Sequence, residues 1–309
     1  MSYESRMLAD FKMPTQKAVE DALLLSLFKH NGVIKEFGAE EEIVNELADD
    51  FSLNEEQRNA YLKTIYRKEN RVKRSSLWNR LLFRAADSLA KENLIIRPTQ
   101  TIRLTNKREW MLSESGFDKA LRLLKIPLEQ KSILPIKSYE VQKIVKKLKE
   151  AKRPENYNPF DNEKRLVKVT KETSIRLRGF RQAVIEAYNF RCAVCGMKLN
   201  SPSSSIWEVE AAHIVPHSSM GKDDIWNGLS LCHLHHWAFD VGWFTLTDDY
   251  LVKVSSMLNS LPKDYGLMGD YDFARQLSKN GSKIFLPSIK EIFPHHSSMQ
   301  WHRQNIFFQ

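Results

Sequence analysis

Residues 210–240 read EAAHIVPHSSMGKDDIWNGLSLCHLHHWAFD. Upstream and into this stretch, Val209, Ala211, His213 and Val215 recur with period two through residues 207–215, the signature of a half-buried strand, so His213 leaves the chain in a fixed direction. A loop with Gly221 and two aspartates follows, and then Asn227, whose amide both donates and accepts hydrogen bonds and so suits the pinning of a loop. The stretch ends on CHLHH (232–236) and WAFD (237–240). His236 and Asp240 are four residues apart, which on a helix puts them on one face, within reach of a single metal ion.

Outward from this core, CAVC (192–195) meets CHLH (232–235). Cys192, Cys195, Cys232 and His235 make a ligand set for a tetrahedral structural zinc. The long gap between the two halves holds the hairpin that carries His213. His233 competes with His235 for the zinc, but the two-residue spacing favours His235 and leaves His236 for Asp240. The chain has only three cysteines, all inside this set, which argues against a disulfide framework and for a reduced, cytoplasmic protein.

The order His, Asn, His with these flanks resembles the HNH nucleases, the ββα-metal finger family, over roughly residues 172–255. The resemblance implies that His213 is a general base and that Asn227 holds the loop and the base in place. It also implies that His236, counted with them as catalytic, joins Asp240 in binding a divalent catalytic ion, magnesium or another. In many members the residue before the base is an Asp or His that also binds metal; here it is Ala212. Glu210, on the same strand face as Ala212, is the candidate third ligand, and His217 from the following loop is a second. A branch of the family related to restriction endonucleases carries Ala-Ala-His as well. The residue types suit phosphodiester hydrolysis. An imidazole with an ordinary pKa of about 6.5 can take a proton from water near neutrality, and a divalent ion stabilises charge on the phosphate and the leaving oxygen.

Toward the N-terminus, residues 14–120 read as a helical unit ending in a short hairpin. Helical periodicity covers 17–29, with Gly32 as the stop, then 40–48; Asn54 and Gln57 suggest a capping box, and Ser76 caps 77–91. Two strands are expected at 94–96 and 101–104, separated by a turn at Pro98, with a third apolar run at 110–112. Three helices and a wing form a winged helix-turn-helix pattern, and the order resembles the N-terminal domain of Mrr-type restriction proteins in LNEE (53–56), the basic tract before Trp78, LAKENLI (89–95) and WMLSESG (110–116). Six of the twelve residues at 63–74 are basic. Arg67, Lys68, Arg71, Lys73 and Arg74, with Arg80 and Arg84 on the next helix, are the candidate DNA-binding residues, placed where phosphates would be met.

The expected fold class is α+β: a winged-helix DNA-binding domain at 1–125, a basic helical connector and linker at 126–171, and a zinc-supported HNH endonuclease domain at 172–309. PENYNP (154–159) breaks the Lys-rich helical run of 139–152 and is the expected boundary. Phe180 to Tyr188 continues a helix into the first cysteine pair, and residues 242–255 read as a hairpin turning at 247–249. Toward the C-terminus, Trp301, Ile306 and Phe307 read as packing residues, and His302 and Arg303 as packing or surface groups rather than phosphate ligands. A net charge of +9 favours a polyanionic partner. The longest apolar run, Ala22 to Phe28, is far short of the 18 or so residues of a membrane helix, so no membrane association is expected. The expected function is a DNA endonuclease acting on double-stranded DNA, of the restriction type and open to dependence on base modification. One finger cuts one strand, so a double-strand break points to a homodimer or two encounters. The alternative from a different class is a noncatalytic zinc-containing DNA-binding protein, with Ala212 as the mark of lost catalysis; the presence of His213, Asn227, His236 and Asp240 counts against it.

Overall fold

The computed structural model describes residues 3–37, 42–66, 71–132, 134–161, 171–202, 206–262, 264–268, 271–272 and 280–309; of residues 64–66, 71–73, 171, 267, 268 and 271 it describes the backbone only. The chain forms two compact units, Met1–Gln142 and Lys143–Gln309.

In the first unit the chain runs α1 (Tyr3–Asp10), α2 (Gln16–Lys29), β1 (Val33–Lys35), α3 (Glu42–Asp50), α4 (Glu55–Arg58), β2 (Tyr61–Tyr66), β3 (Arg71–Ser76), α5 (Leu77–Lys91), β4 (Ile95–Ile96), α6 (Pro98–Thr105), β5 (Glu109–Leu112) and α7 (Glu114–Leu123). The helices start where their caps stand. Thr15 accepts a hydrogen bond from Ala18 N, Ser76 accepts one from Asn79 N, and Asn54 and Gln57 form the reciprocal capping box. Gly32 stops α2 at φ +89°, and a Cβ there would lie 1.9 Å from the Lys137 carbonyl oxygen, so both conformation and space require glycine. The core is the apolar stripe of α5 (Leu82, Ala85, Ala86 and Leu89, all fully buried) packed with Leu23, Leu24 and Leu27 of α2 and Phe117 of α7. Strands β1, β5 and β4 form one antiparallel sheet in that order, with Ile34 opposite Trp110 and Ile95 opposite Leu112.

The expected strand at 101–104 is a helix. Pro98 stands at the first helical position, where its missing N–H removes nothing, and Asn106 closes the helix in the left-handed conformation. These are helix start and stop signals that outrank the β-favouring Thr101 and Ile102. β4 and β5 therefore pair across a helix instead of a tight wing turn. Of the basic tract, residues 63–66 and 71–74 lie on β2 and β3, which pair antiparallel ahead of α5 with Lys63 directly opposite Arg74.

The second unit begins within α8 (Tyr139–Lys149) and continues with α9 (Lys171–Ala187), β6 (Val209–His213), β7 (Gly228–Cys232), α10 (His233–Asp240), β8 (Phe244–Leu246), β9 (Val252–Val254) and α11 (His296–Asn305). Residues 153–160, expected as a linker, pack onto this unit. Arg153 donates to the Phe293 and Pro294 carbonyls, and Tyr157 is buried edge-on to Trp226. The 242–255 hairpin is β8 and β9, paired antiparallel. Near the C-terminus, His302 is buried, stacked on Phe239 at 3.7 Å and hydrogen-bonded to Thr245 and to the Phe239 carbonyl, while Arg303 donates to the Leu246 carbonyl and pairs with Asp248. Both are packing groups.

Candidate active site

β6 and β7 pair antiparallel with Ala211 opposite Ser230 and His213 opposite Gly228, and α10 follows β7 without a break, which gives the order strand, strand, helix. α9 lies against both strands. Its Phe180 ring stacks on the His213 imidazole at 4.1 Å and 18°. Gly228 permits this approach, since a Cβ there would sit 2.4 Å from Val184 Cγ2 and about 3 Å from the Phe180 ring.

The loop between the strands is pinned by Asn227, which is fully buried. Its Oδ1 accepts from Val215 N at 2.8 Å, its Nδ2 donates to the Val215 and Lys222 carbonyls at 3.0 Å each, and its own carbonyl accepts from Ile214 N. All of the side chain's principal polar positions are thus used on the loop that begins just after His213, so the direction of that imidazole depends on this amide.

His213 Nε2 donates to Asp223 Oδ1 at 3.0 Å. His217 Nε2 lies 2.7 Å from the same oxygen, and Arg176 Nε lies 2.8 Å from Asp223 Oδ2. The Asp223 side chain is only 2% exposed, so three cationic or polar neighbours hold a carboxylate that solvent barely reaches. In the neutral tautomer that donates from Nε2 to Asp223, the ring's lone pair is on Nδ1.

A second group forms at the other end of β6. His236 Nδ1 donates to Glu210 Oε2 at 2.9 Å, His236 Nε2 lies 3.5 Å from Asp240 Oδ2, and His233 faces Glu208 and Glu210. Burial works against ionisation of Glu210, but the His236 hydrogen bond and the nearby cations outweigh it and hold the carboxyl below its ordinary value. Burial raises Asp240, with the His236 charge opposing and the Glu210 charge adding to the rise. The two carboxylates face opposite nitrogens of one ring, so the three residues form a row with His236 in the middle. An ion on either ring nitrogen has one carboxylate as its immediate neighbour, an oxygen and nitrogen donor set that suits magnesium, manganese, nickel or zinc. Glu210 and His213 are three residues apart on one strand, roughly 10 Å along it.

Cys192, Cys195, Cys232 and His235 converge, with all four ligand atoms within 4.8 Å of one another. Cys195 and Cys232 sulfurs are 3.9 Å apart, and His235 Nδ1 is 3.0 Å from Cys232 Sγ. The cysteine knuckle is tied to the hairpin by Ala193 N donating to the Ser230 carbonyl. Its neighbours Cys195 and Cys232 push the Cys192 thiol down, toward thiolate. Burial opposes charge on His235, but the sulfurs of Cys192 and Cys195 carry its pKa up to about 9. Three sulfurs and an imidazole nitrogen at tetrahedral reach are the donor set of a structural zinc site. His233 is outside this set, and His236 faces Glu210.

Of the candidate DNA-binding residues, Arg67 and Lys68 lie outside the described residues, and Arg71 and Lys73 are described in backbone only, on β3. Arg74 is exposed on the same strand. Arg80 pairs with Glu4 at 2.6 Å, and Arg84 with Glu4 and Gln16 at 3.3 Å each, so these two already hold an internal anion. Asp223, Arg176 and Phe180 were not singled out from the sequence as site residues. Arg176, Phe180 and Val184 recur at helical spacing, a signal for one face of α9, but nothing in KDD (222–224) tells which aspartate is buried.

A family model described as HNH endonuclease matches residues 192–247. No curated protein matches significantly. Among solved structures, one titled "Modification dependent TagI restriction endonuclease" is similar at 22% identity and a TM-score of 0.29, over 41% of this chain and 37% of that chain. The chain thus spans little more than a third of that protein's length. Among the described residues no helix is long and apolar enough to cross a membrane. The match falls on the strand–strand–helix order and the four-ligand cluster, so this part of the second unit is similar to an HNH endonuclease domain.

Proposed function

We propose that the chain is a DNA endonuclease that hydrolyses phosphodiester bonds with a divalent metal, of the restriction type. The observation that carries this reading is the placement of His213: a stacked, hydrogen-bonded imidazole at the end of a strand whose loop is locked by a buried asparagine.

In this reading His213 takes a proton from the attacking water at Nδ1, and Asp223 holds the ring through Nε2–H and stabilises the imidazolium that results. Asn227 keeps the loop, and with it Asp223, in register. His236 with Asp240 on one ring nitrogen, or with Glu210 on the other, would hold the divalent ion, which when bound supplies charge for the phosphate oxygens and the leaving oxygen. Cys192, Cys195, Cys232 and His235 would hold a structural zinc that joins the knuckle to the start of α10.

The domain at 1–125 serves DNA contact, as a variant winged helix in which α6 stands between β4 and β5; residues 126–171 connect it to an HNH domain spanning 172–309. Support for the contact comes from β2 and β3. Lys63 directly opposite Arg74 is a like-charge cross-strand pair, which costs stability unless an anion sits between them. Arg67, Lys68, Arg71 and Lys73 belong to the same basic stretch of sequence, and Arg80 and Arg84 join once Glu4 is displaced. The substrate is double-stranded DNA, cut by a homodimer in the cytoplasm, with base modification as the discriminating feature.

The test is cleavage of paired plasmid preparations, methylated and unmethylated, by the purified chain with magnesium or manganese. Cutting of one preparation only establishes modification dependence; equal cutting of both removes that part and keeps the nuclease. Tight DNA binding with no cutting of either, in either metal, would favour the noncatalytic zinc-containing DNA-binding protein.

A further inference from the structure

Among the described residues, groups of three or more metal-ligating side chains converge at two places, and only one of them is the cysteine cluster. The other is His213, His217 and Asp223, whose ligand atoms all lie within 4.8 Å of one another. Both imidazoles present Nε2 to a single oxygen, Asp223 Oδ1, at 3.0 and 2.7 Å. Donors bound about 2.0–2.1 Å from one ion lie roughly 2.9–3.4 Å apart in a tetrahedron or octahedron. Of the observed separations, the first lies within that range, the second falls about 0.2 Å short of it, and the third, between the two imidazoles, lies within 4.8 Å.

The surroundings favour one class of ion. Two imidazoles and one carboxylate suit zinc, nickel or cobalt, whereas magnesium prefers oxygen and keeps its waters. The frame is pre-arranged. Phe180 fixes the His213 ring, Arg176 occupies the far carboxylate oxygen and leaves Oδ1 inward, and the two imidazoles stand at 73° to each other. His217 is 38% exposed, so an ion and its remaining waters enter from that side.

We propose that His213, His217 and Asp223 form a separate site for a late transition ion, and that filling it switches the nuclease off. This rests on the reading of His213 as the base. The chemistry is a change of tautomer. In the metal-free state the Nε2–H of His213 donates to Asp223 and the lone pair is on Nδ1. When Nε2 binds the ion, the ring's single proton moves to Nδ1, which becomes a donor and can no longer accept a proton from water. Asp223 stays a carboxylate throughout, and no electron is transferred.

The test has a binding arm and an activity arm, both with the full chain carrying its structural zinc. In the binding arm, cobalt is titrated into the wild type, His217→Ala and His236→Ala. His217→Ala should bind one ion fewer than the wild type, and the lost ion should show weak visible bands without sulfur-to-metal charge transfer. His236→Ala should lose a different ion, so the two losses add in the double variant. In the activity arm, the ratio of magnesium-dependent cleavage with and without added zinc is measured, which cancels any effect of a variant on its basal rate. The zinc concentration for half inhibition should rise about tenfold or more in His217→Ala. Unchanged cobalt stoichiometry in His217→Ala, or unchanged zinc inhibition, would overturn the proposal. If the wild type binds the extra ion but cleaves no DNA, the metal site stands, and the inhibitory role falls together with the nuclease reading.

Discussion

Asp223 is the residue on which the candidate base depends. Replacing it by Asn keeps the shape but removes the charge that stabilises an imidazolium and allows the ring to turn. Asp223→Asn is expected to lower kcat by roughly 10- to 100-fold, less than the roughly 10²- to 10⁴-fold that loss of a general base costs, with KM little changed. A shift in the pH profile of kcat should accompany it; a rate and profile equal to the wild type's would remove Asp223 from the mechanism. Asn227→Ala acts differently, because it strands Val215 N–H and two carbonyls inside the protein. A buried polar group without a partner costs about 1–3 kcal/mol, so denaturant unfolding should show destabilisation of at least that size. His302 sets a pH dependence of stability. Burial brings its pKa down to about 4 from an ordinary value of 6.5, so the unfolded chain binds the proton first as pH falls. Stability is fully present above about pH 6.5 and is lost progressively toward pH 4, by about 3 kcal/mol for this group if the whole shift is realised. Thermal melts at pH 7 and pH 5 check this, and His302→Gln should flatten the difference.

At the scale of elements, the hairpin β6–β7 and helix α10 hold together through the cysteine knuckle. Structural zinc in small modules is worth about 10–16 kcal/mol, comparable with or above the 5–15 kcal/mol of a whole domain. Cys232→Ser, or a strong chelator, is therefore expected to unfold the second unit, read as loss of zinc together with loss of near-UV circular dichroism; a folded, zinc-free variant would show that the cluster is not structural. Much of this element is legible in the sequence, because ligand spacing, the strand alternation around His213 and the asparagine amide are local properties of the chain. Helix α6 is not, since Thr101 and Ile102 read as strand residues and only the Pro98 and Asn106 ends argue otherwise. The partner of His213 is hidden for a different reason. Asp223 and Asp224 are chemically alike, and only the packing of α9, with Arg176 and Phe180 on one face, decides which carboxylate meets the ring.

For the whole molecule, a net charge of +9 and a basic hairpin set the terms on which DNA would be met. If that charge works through phosphate contacts, affinity falls steeply with salt, and Lys63→Glu with Arg74→Glu should weaken binding to all sequences alike and flatten the salt dependence, as fluorescence anisotropy at several ionic strengths would register. The division of labour between the two units then separates cleanly, since changes in the hairpin alter binding and changes at His213 alter only the chemical step. The most direct measurement is the rate of supercoiled plasmid cleavage at saturating protein by the wild type, His213→Ala and His236→Ala with magnesium or manganese. Cleavage by the wild type that drops by at least about a hundredfold in both variants, with DNA binding unchanged, is the expected result. Cleavage by His213→Ala at the wild-type rate would contradict the assignment of His213 as the base.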